Sequence, residues 1–261
     1  MFEKPPLLGD FLSLQHARPF VLDDGVFRSL HFTLGELQSR MRRDSPFALE
    51  VDYTRTLMGF LLFNPAPTHI AMIGLGGGSM VRFCHRFLPA SRMTVLEINP
   101  HVIALRSDFQ VPPDDERLTI VAADGAMYLQ TQAMRYDVLL VDGFGPDGQP
   151  TALCGQRFYD DCLVALAEGG VLVVNLHYDH PDYPLLFERI RRSFGGNAVE
   201  IVTLEKSNSI VFARKGEPIY PQALNLAGSL AGLEAQARAT LKPELARMLW
   251  QMKNLDTGDD R

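Results

Sequence analysis

The sequence predicts a doubly wound α/β fold, and three observations carry that prediction. Five short apolar runs recur along the middle of the chain: His69–Ile73, Thr94–Leu96, Leu118–Ala122, Val138–Val141 and Val171–Leu176. Stretches with helical character lie near 80–88, 100–109, 125–132, 156–167 and 184–194, one after each run. The third observation is a glycine-rich turn, Gly74-Leu75-Gly76-Gly77-Gly78-Ser79, between the first run and the helix after it. Apolar runs without polar alternation are what parallel strands covered on both faces require, and strand–helix alternation is the pattern of a parallel sheet.

Ahead of this region, Asp23-Asp24-Gly25 is a turn signal between Pro19–Leu22 and Val26–Phe32, which predicts a hairpin; Gln38–Met41 adds a further strand. From Pro46 to Phe63, Leu49, Tyr53, Leu57, Phe60 and Leu61 follow helical spacing, and Asn64-Pro65-Ala66-Pro67 stops that helix. After the five strand–helix units come Val199–Leu204 and Ile210–Ala213, joined by the polar turn Glu205–Asn208. A terminal hairpin of this kind suits the Rossmann-like sheet of S-adenosylmethionine-dependent methyltransferases better than that of dinucleotide dehydrogenases. The expected organisation is an N-terminal strand region with its connecting helix (1–64), a nucleoside-binding catalytic domain (65–215) and a helical extension (216–261). In the extension Pro221 and Pro243 mark expected helix starts, and Trp250 reads as a packing anchor.

Composition narrows the class. A chain of 261 residues with 46% hydrophobic and 21% charged residues supports a substantial core. A net charge of -6 argues against a nucleic-acid partner, which favours a basic face. Cys84, Cys154 and Cys162 form no C-x-x-C pair, so neither a zinc site nor a disulfide framework is expected, and a reducing cytoplasm is the simpler setting. The seven histidines show no metal-ligand spacing, although His177 and His180 sit after the fifth strand, where a substrate loop is expected. Met1–Pro6 lacks the apolar stretch of a signal peptide, and no segment approaches the roughly 20 apolar residues of a membrane span.

Three acidic residues carry the functional reading. In an open α/β sheet, ligands bind beyond the carboxyl ends of the strands. Glu97, Asp124 and Asp142 each close a strand at that end and are expected to face one crevice with Gly74, Gly76 and Gly78. Glu97 stands roughly 20 positions past the glycine turn, where a carboxylate accepts the two hydroxyls of a ribose. Asp124, before Gly125, is also suited to cap the next helix. The turn lacks the last glycine of the dinucleotide fingerprint, and there is no P-loop lysine. Both absences disfavour a diphosphate and favour an adenosine bearing a sulfonium.

With those residues in order, the chain resembles the spermidine synthase family of polyamine aminopropyltransferases, as a divergent member, over roughly residues 18 to 213. The resemblance rests on Val26–Gln38 as the N-terminal hairpin, Tyr53, Gly74–Ser79, Leu96-Glu97-Ile98, Asp124-Gly125, Val141-Asp142 with Gly145-Pro146, and Phe158-Tyr159. It implies decarboxylated S-adenosylmethionine, or S-adenosylmethionine, as co-substrate without a metal, and an amine such as putrescine as acceptor. It also implies a homodimer or homotetramer. Glu97 would hold the ribose, Asp124 and Gly125 the adenine, and Asp142 would take the proton from the attacking amine. Gln38, Tyr53 and Tyr159 would line the amine pocket, with both tyrosines equally readable as core aromatics.

The departures from the family are specific. Gly77 and Gly145 stand where the family carries amine-holding aspartates, and Thr54 replaces a His or Gln. Asp147, two positions past Gly145, is placed to substitute. Loss of a carboxylate at Gly77 would also remove the repulsion that excludes the carboxylate of intact S-adenosylmethionine. Methyl transfer, or nucleoside binding without turnover, are the alternatives.

Overall fold

A computed structural model describes residues 16–131, 135–145 and 148–255. The N-terminal sheet has three antiparallel strands in the order β1-β2-β3: β1 (Phe20–Asp23), β2 (Phe27–Thr33) and β3 (Glu36–Arg42). The Asp-Asp-Gly turn forms because Asp23 Oδ1 accepts from the Gly25 N–H and Asp24 Oδ1 from those of Val26 and Phe27.

The larger sheet has seven strands in the order β6-β5-β4-β7-β8-β10-β9. These are β4 (His69–Ile73), β5 (Arg92–Glu97), β6 (Leu118–Ala122), β7 (Tyr136–Val141), β8 (Leu166–His177), β9 (Ala198–Val202) and β10 (Asn208–Arg214). β4 to β8 pair in parallel, whereas β10 runs antiparallel to both β8 and β9. The central runs are buried as predicted: Val138 to Val141 and Val171 to Val174 are all 0% exposed. Chain order reverses between β4 and β7, which places the ligand crevice at the carboxyl ends of β4, β5 and β7. That end carries the glycine turn, Glu97 and Asp142.

The expected helix from Pro46 is shorter than its spacing suggests. Helix α1 begins only at Asp52 (Asp52–Leu57) and tightens into a 3₁₀ turn, Met58–Leu62. The helices between the sheet strands are α2 (Ser79–Phe87), α3 (Pro100–Ala104), α4 (Gly125–Thr131), α5 (Gln156–Ala165) and α6 (Tyr183–Ser193). α3 ends five residues before the predicted 109, and Phe109, almost wholly buried, continues into the core as a turn.

Two expectations for the C-terminal region are corrected. After α7 (Leu226–Leu230), a single helix α8 (Ala235–Leu255) runs straight through Pro243. Proline costs a helix interior about 3 kcal/mol. Ala237, Leu241, Leu245, Met248 and Met252 fall on one face of α8 and are all at most 1% exposed, and their burial on both sides of the proline offsets that cost. Trp250 is 69% exposed and lies off that buried face, so it is not a packing anchor among the described residues.

α8 is tied to α1 by a hydrogen bond from Thr56 to Glu244, which forms an ion pair with Arg247 one turn along α8. Glu244, 4% exposed, accepts from Thr56 Oγ1 at 2.6 Å and from Arg247 Nη2 at 2.6 Å, and Arg247 also donates to the Val202 carbonyl. Removing one member of such a pair strands the other charge in the protein. Glu244→Ala is therefore expected to lower the unfolding free energy by about 3 kcal/mol in urea denaturation, and Glu244→Gln by less.

Candidate active site

A cavity of about 400 Å³ opens at the carboxyl ends of β4, β5 and β7, within the range of small-molecule sites. The glycine turn, Glu97, Asp124 and Asp142 all line it, so the three predicted acidic residues converge on one space. Gln38 and Ser39 from β3, and Tyr53 and Thr54 from α1, close it on the opposite side. The N-terminal sheet is thereby part of the site.

Glycine is required at Gly74 by close approach. Its φ is +97°, and a Cβ there would lie 2.3 Å from the Asp142 carbonyl oxygen. With no side chain in the way, the Asp142 N–H donates to the Ile73 carbonyl and the Gly74 N–H to that of Leu96. These bonds fix the ends of β4, β5 and β7 together. Gly76 and Gly78 also have positive φ, and Gly78 caps α2. Beneath them Arg82, 0% exposed, donates to the carbonyls of Pro46, Gly77 and Phe109 and holds the turn from behind.

Glu97 is 8% exposed and pinned by main-chain donors. Its Oε2 accepts from the Leu75 N–H at 2.9 Å and its Oε1 from the Asn99 N–H at 2.8 Å. Each oxygen retains a lone pair for a ligand hydroxyl. Burial raises its pKa, opposed by those two main-chain bonds. Asp124 does cap α4, through Oδ1, which accepts from the N–H groups of Ala126 and Met127. It lines the cavity while doing so. Gly125 allows α4 to start against Ile73, whose Cγ2 would lie 2.7 Å from an added Cβ.

Asp142 stands at the cavity's end beside the N-terminal region. Its Oδ1 accepts from Asn175 Nδ2 at 2.8 Å, and its Oδ2 from the Tyr53 hydroxyl at 3.3 Å. Burial raises its pKa to about 7, against the pull of these two donors. Burial and the neighbouring Asp142 together push the Tyr53 hydroxyl well above its ordinary value, so Tyr53 stays a neutral donor. A carboxylate poised near neutrality and facing a cavity is suited to accept a proton there.

Of the remaining expected residues, Gln38 and Tyr53 line the cavity, and Tyr159 does not. α5 begins at Gln156 and turns Tyr159 inward, where it is 0% exposed and packs with Phe158 and Cys162 in the core on that side of the sheet. Tyr159 is a core aromatic. Asp147 lies outside the described residues. His177 stacks on Phe144 of the loop after β7, with ring centroids 4.5 Å apart. Asn175 is the participant that the sequence reading missed. Its signal was a single amide inside the apolar run Val171–Leu176.

The two glycines at the departures from the family differ sterically. A Cβ at Gly77 would lie 2.6 Å from Ser39 Oγ and 3.1 Å from Phe109, so β3 occupies the space of a side chain there. At Gly145 the nearest atom among the described residues is the Gly148 carbonyl oxygen at 3.9 Å, which leaves room for a side chain on that side.

Residues 50–188 match the spermine/spermidine synthase domain. A polyamine aminopropyltransferase of Neisseria meningitidis serogroup A is 38% identical over 200 residues, which is 76% of each chain. The chain belongs to the spermine/spermidine synthase family. The fold agrees with that placement. A probable spermidine synthase from Corynebacterium glutamicum superposes with a TM-score of 0.68 at 22% identity, over 82% of each chain. A spermidine synthase in complex with the transition-state analogue AdoDATO gives 0.62 at 22% identity, over 86% of this chain and 88% of that one.

Titration of Asp142 has a consequence for stability. Its folded pKa of about 7 lies above the ordinary aspartate value of 3.8, so between those values the unfolded chain binds fewer protons than the folded one. Stability is therefore lost as pH rises from about 4 to about 7, by at most about 4 kcal/mol. Asp142→Asn is expected to raise the Tm by several degrees at pH 8 and to leave it nearly unchanged at pH 4, as read by calorimetry.

Proposed function

We propose that this chain moves an aminopropyl group from decarboxylated S-adenosylmethionine to an amine such as putrescine, releasing methylthioadenosine. The observation that carries this reading is the Asp142 carboxylate, held between Asn175 and Tyr53 in the cavity that Glu97 also lines. Glu97 would accept the ribose hydroxyls, and Asp124 with Gly125 would bound the adenine. The acceptor enters mostly as an ammonium, since alkyl amines have pKa values near 10. Asp142 takes one proton from it. The freed nitrogen lone pair attacks the methylene carbon next to the sulfonium, the C–S bond breaks, and its electron pair neutralises the sulfur. The product leaves as a secondary ammonium, and Asp142 returns its proton to solvent, so one proton is released per turnover. Tyr53 keeps Asp142 oriented and lines the path of the alkyl chain. Positioning supplies much of the rate.

One observation favours a second reading, methyl transfer from intact S-adenosylmethionine. At Gly77 no carboxylate faces the donor, and the hydroxyls of Ser39 and Ser79, 3.4 Å apart, stand there instead. Incubation of the protein with each donor and a panel of amines separates the readings by product. Methylthioadenosine release is the expected outcome; S-adenosylhomocysteine release would replace it with methyl transfer, and saturable binding with neither product would leave a binding homologue.

The steric difference between the two glycines gives a sharper check. Gly145→Asp adds a carboxylate without collision among the described residues and is expected to lower the KM for a diamine several-fold, because a charge-assisted hydrogen bond to the ammonium is gained. Gly77→Asp must displace Ser39 and is expected to weaken donor binding, both read in steady-state kinetics.

A further inference from the structure

Asp142 receives two hydrogen bonds, and both donors trace back to one turn. Asn175 is 1% exposed, and a buried amide can present either end to a neighbour. Its orientation is set from behind: Asn208 Nδ2 donates to Asn175 Oδ1 at 2.9 Å, which leaves Asn175 Nδ2 to face Asp142. Asn208 is itself held, since its Oδ1 accepts from Ser207 Oγ at 2.8 Å and its carbonyl from the N–H and hydroxyl of Thr203. The other donor, Tyr53, sits on α1 next to Asp52, which is 5% exposed. Asp52 Oδ2 accepts from the N–H groups of Leu204 and Glu205 in the same β9–β10 turn, at 3.0 and 3.4 Å.

Resting on the proposed role of Asp142, we propose that Asn208 is a positioning residue that acts through Asn175, and that the β9–β10 turn anchors both donors that orient the Asp142 carboxylate. Among the described residues Asp142 takes its side-chain hydrogen bonds from Asn175 and Tyr53, and Asn208 does not line the cavity. Its contribution is to forbid the flipped state of Asn175, in which a carbonyl oxygen would oppose the carboxylate.

The groups facing Asp142 are few. Tyr53 reaches it from α1 and Asn175 from β8, while Glu97 from β5, Asp124 after β6 and His16 line the same cavity. His177 lies two residues past Asn175 on β8 and stacks on Phe144. Burial holds Asp142 up, and the bonds from Asn175 and Tyr53 pull it down. Loosening Asn175 must therefore raise its midpoint.

The test is the pH titration of the Asp142 carboxyl by ¹³C NMR in aspartate-labelled protein, the signal assigned by its loss in Asp142→Asn. Asn208→Leu and Asn208→Ala are each expected to raise the midpoint by about half a pH unit or more, and Asn175→Leu by at least as much. In the Asn175→Leu background, Asn208→Leu is expected to add nothing, because the two act in series. Methylthioadenosine affinity should stay within about twofold of the parent, since the nucleoside end of the cavity is untouched. An unmoved midpoint in both Asn208 variants, or full additivity with Asn175→Leu, would overturn the proposal. The titration needs no turnover, so a chain that released no methylthioadenosine would refute the aminopropyl reading and leave this result to stand or fall by itself. Where turnover is measured, the acid limb of kcat/KM should move with the midpoint.

Discussion

Everything at the cavity depends on one carboxylate being kept partly out of water without a cation to neutralise it. Asp142 has two neutral donors, Asn175 and Tyr53, and no arginine or lysine forms an ion pair with it among the described residues. A cation would hold the group ionised far below neutral pH, and it would also compete with an incoming ammonium. Neutral donors keep the anion available while burial lifts its proton affinity to about 7. An aspartate in that condition can both attract an ammonium and take its proton.

The fold builds this place from three directions. Gly74 lets the turn after β4 pass against the Asp142 carbonyl, so the strand ends lock in register beneath the ligand space. β8 and β10 bring Asn175 and Asn208 side by side, because their antiparallel register sets Asn208 opposite His177 and Ile210 opposite Asn175. α1 supplies Tyr53, and it is clamped by Asp52 to the β9–β10 turn and by Thr56 to Glu244 of α8. The C-terminal helix, remote in sequence, thus bears through Glu244 on the helix that carries a cavity side chain.

Much of this was legible in the chain because parallel strands announce themselves. His69–Ile73 and Leu118–Ala122 have the predicted bounds, and the glycine turn with Glu97 and Asp142 located the crevice. What escaped depended on tertiary packing. Pro243 reads locally as a helix start, yet burial on either side carries α8 through it. Tyr159 followed from a resemblance of order along the chain, and the rotation of α5 that hides it is set by contacts with the sheet. Asp52 and Asn208 look like ordinary turn and cap residues in sequence; their roles appear only when the β9–β10 turn is seen against α1 and β8.

The proposed reaction requires Glu97 and Asp142 to address opposite ends of one bound nucleoside and its reaction partner. A crystal structure with methylthioadenosine and a diamine tests it most directly. Both ribose hydroxyls are expected within about 2.6–3.2 Å of the Glu97 carboxylate, and an amine nitrogen at a similar distance from Asp142, between it and the sulfur. A nucleoside bound elsewhere, or one whose sulfur points away from Asp142, would contradict it.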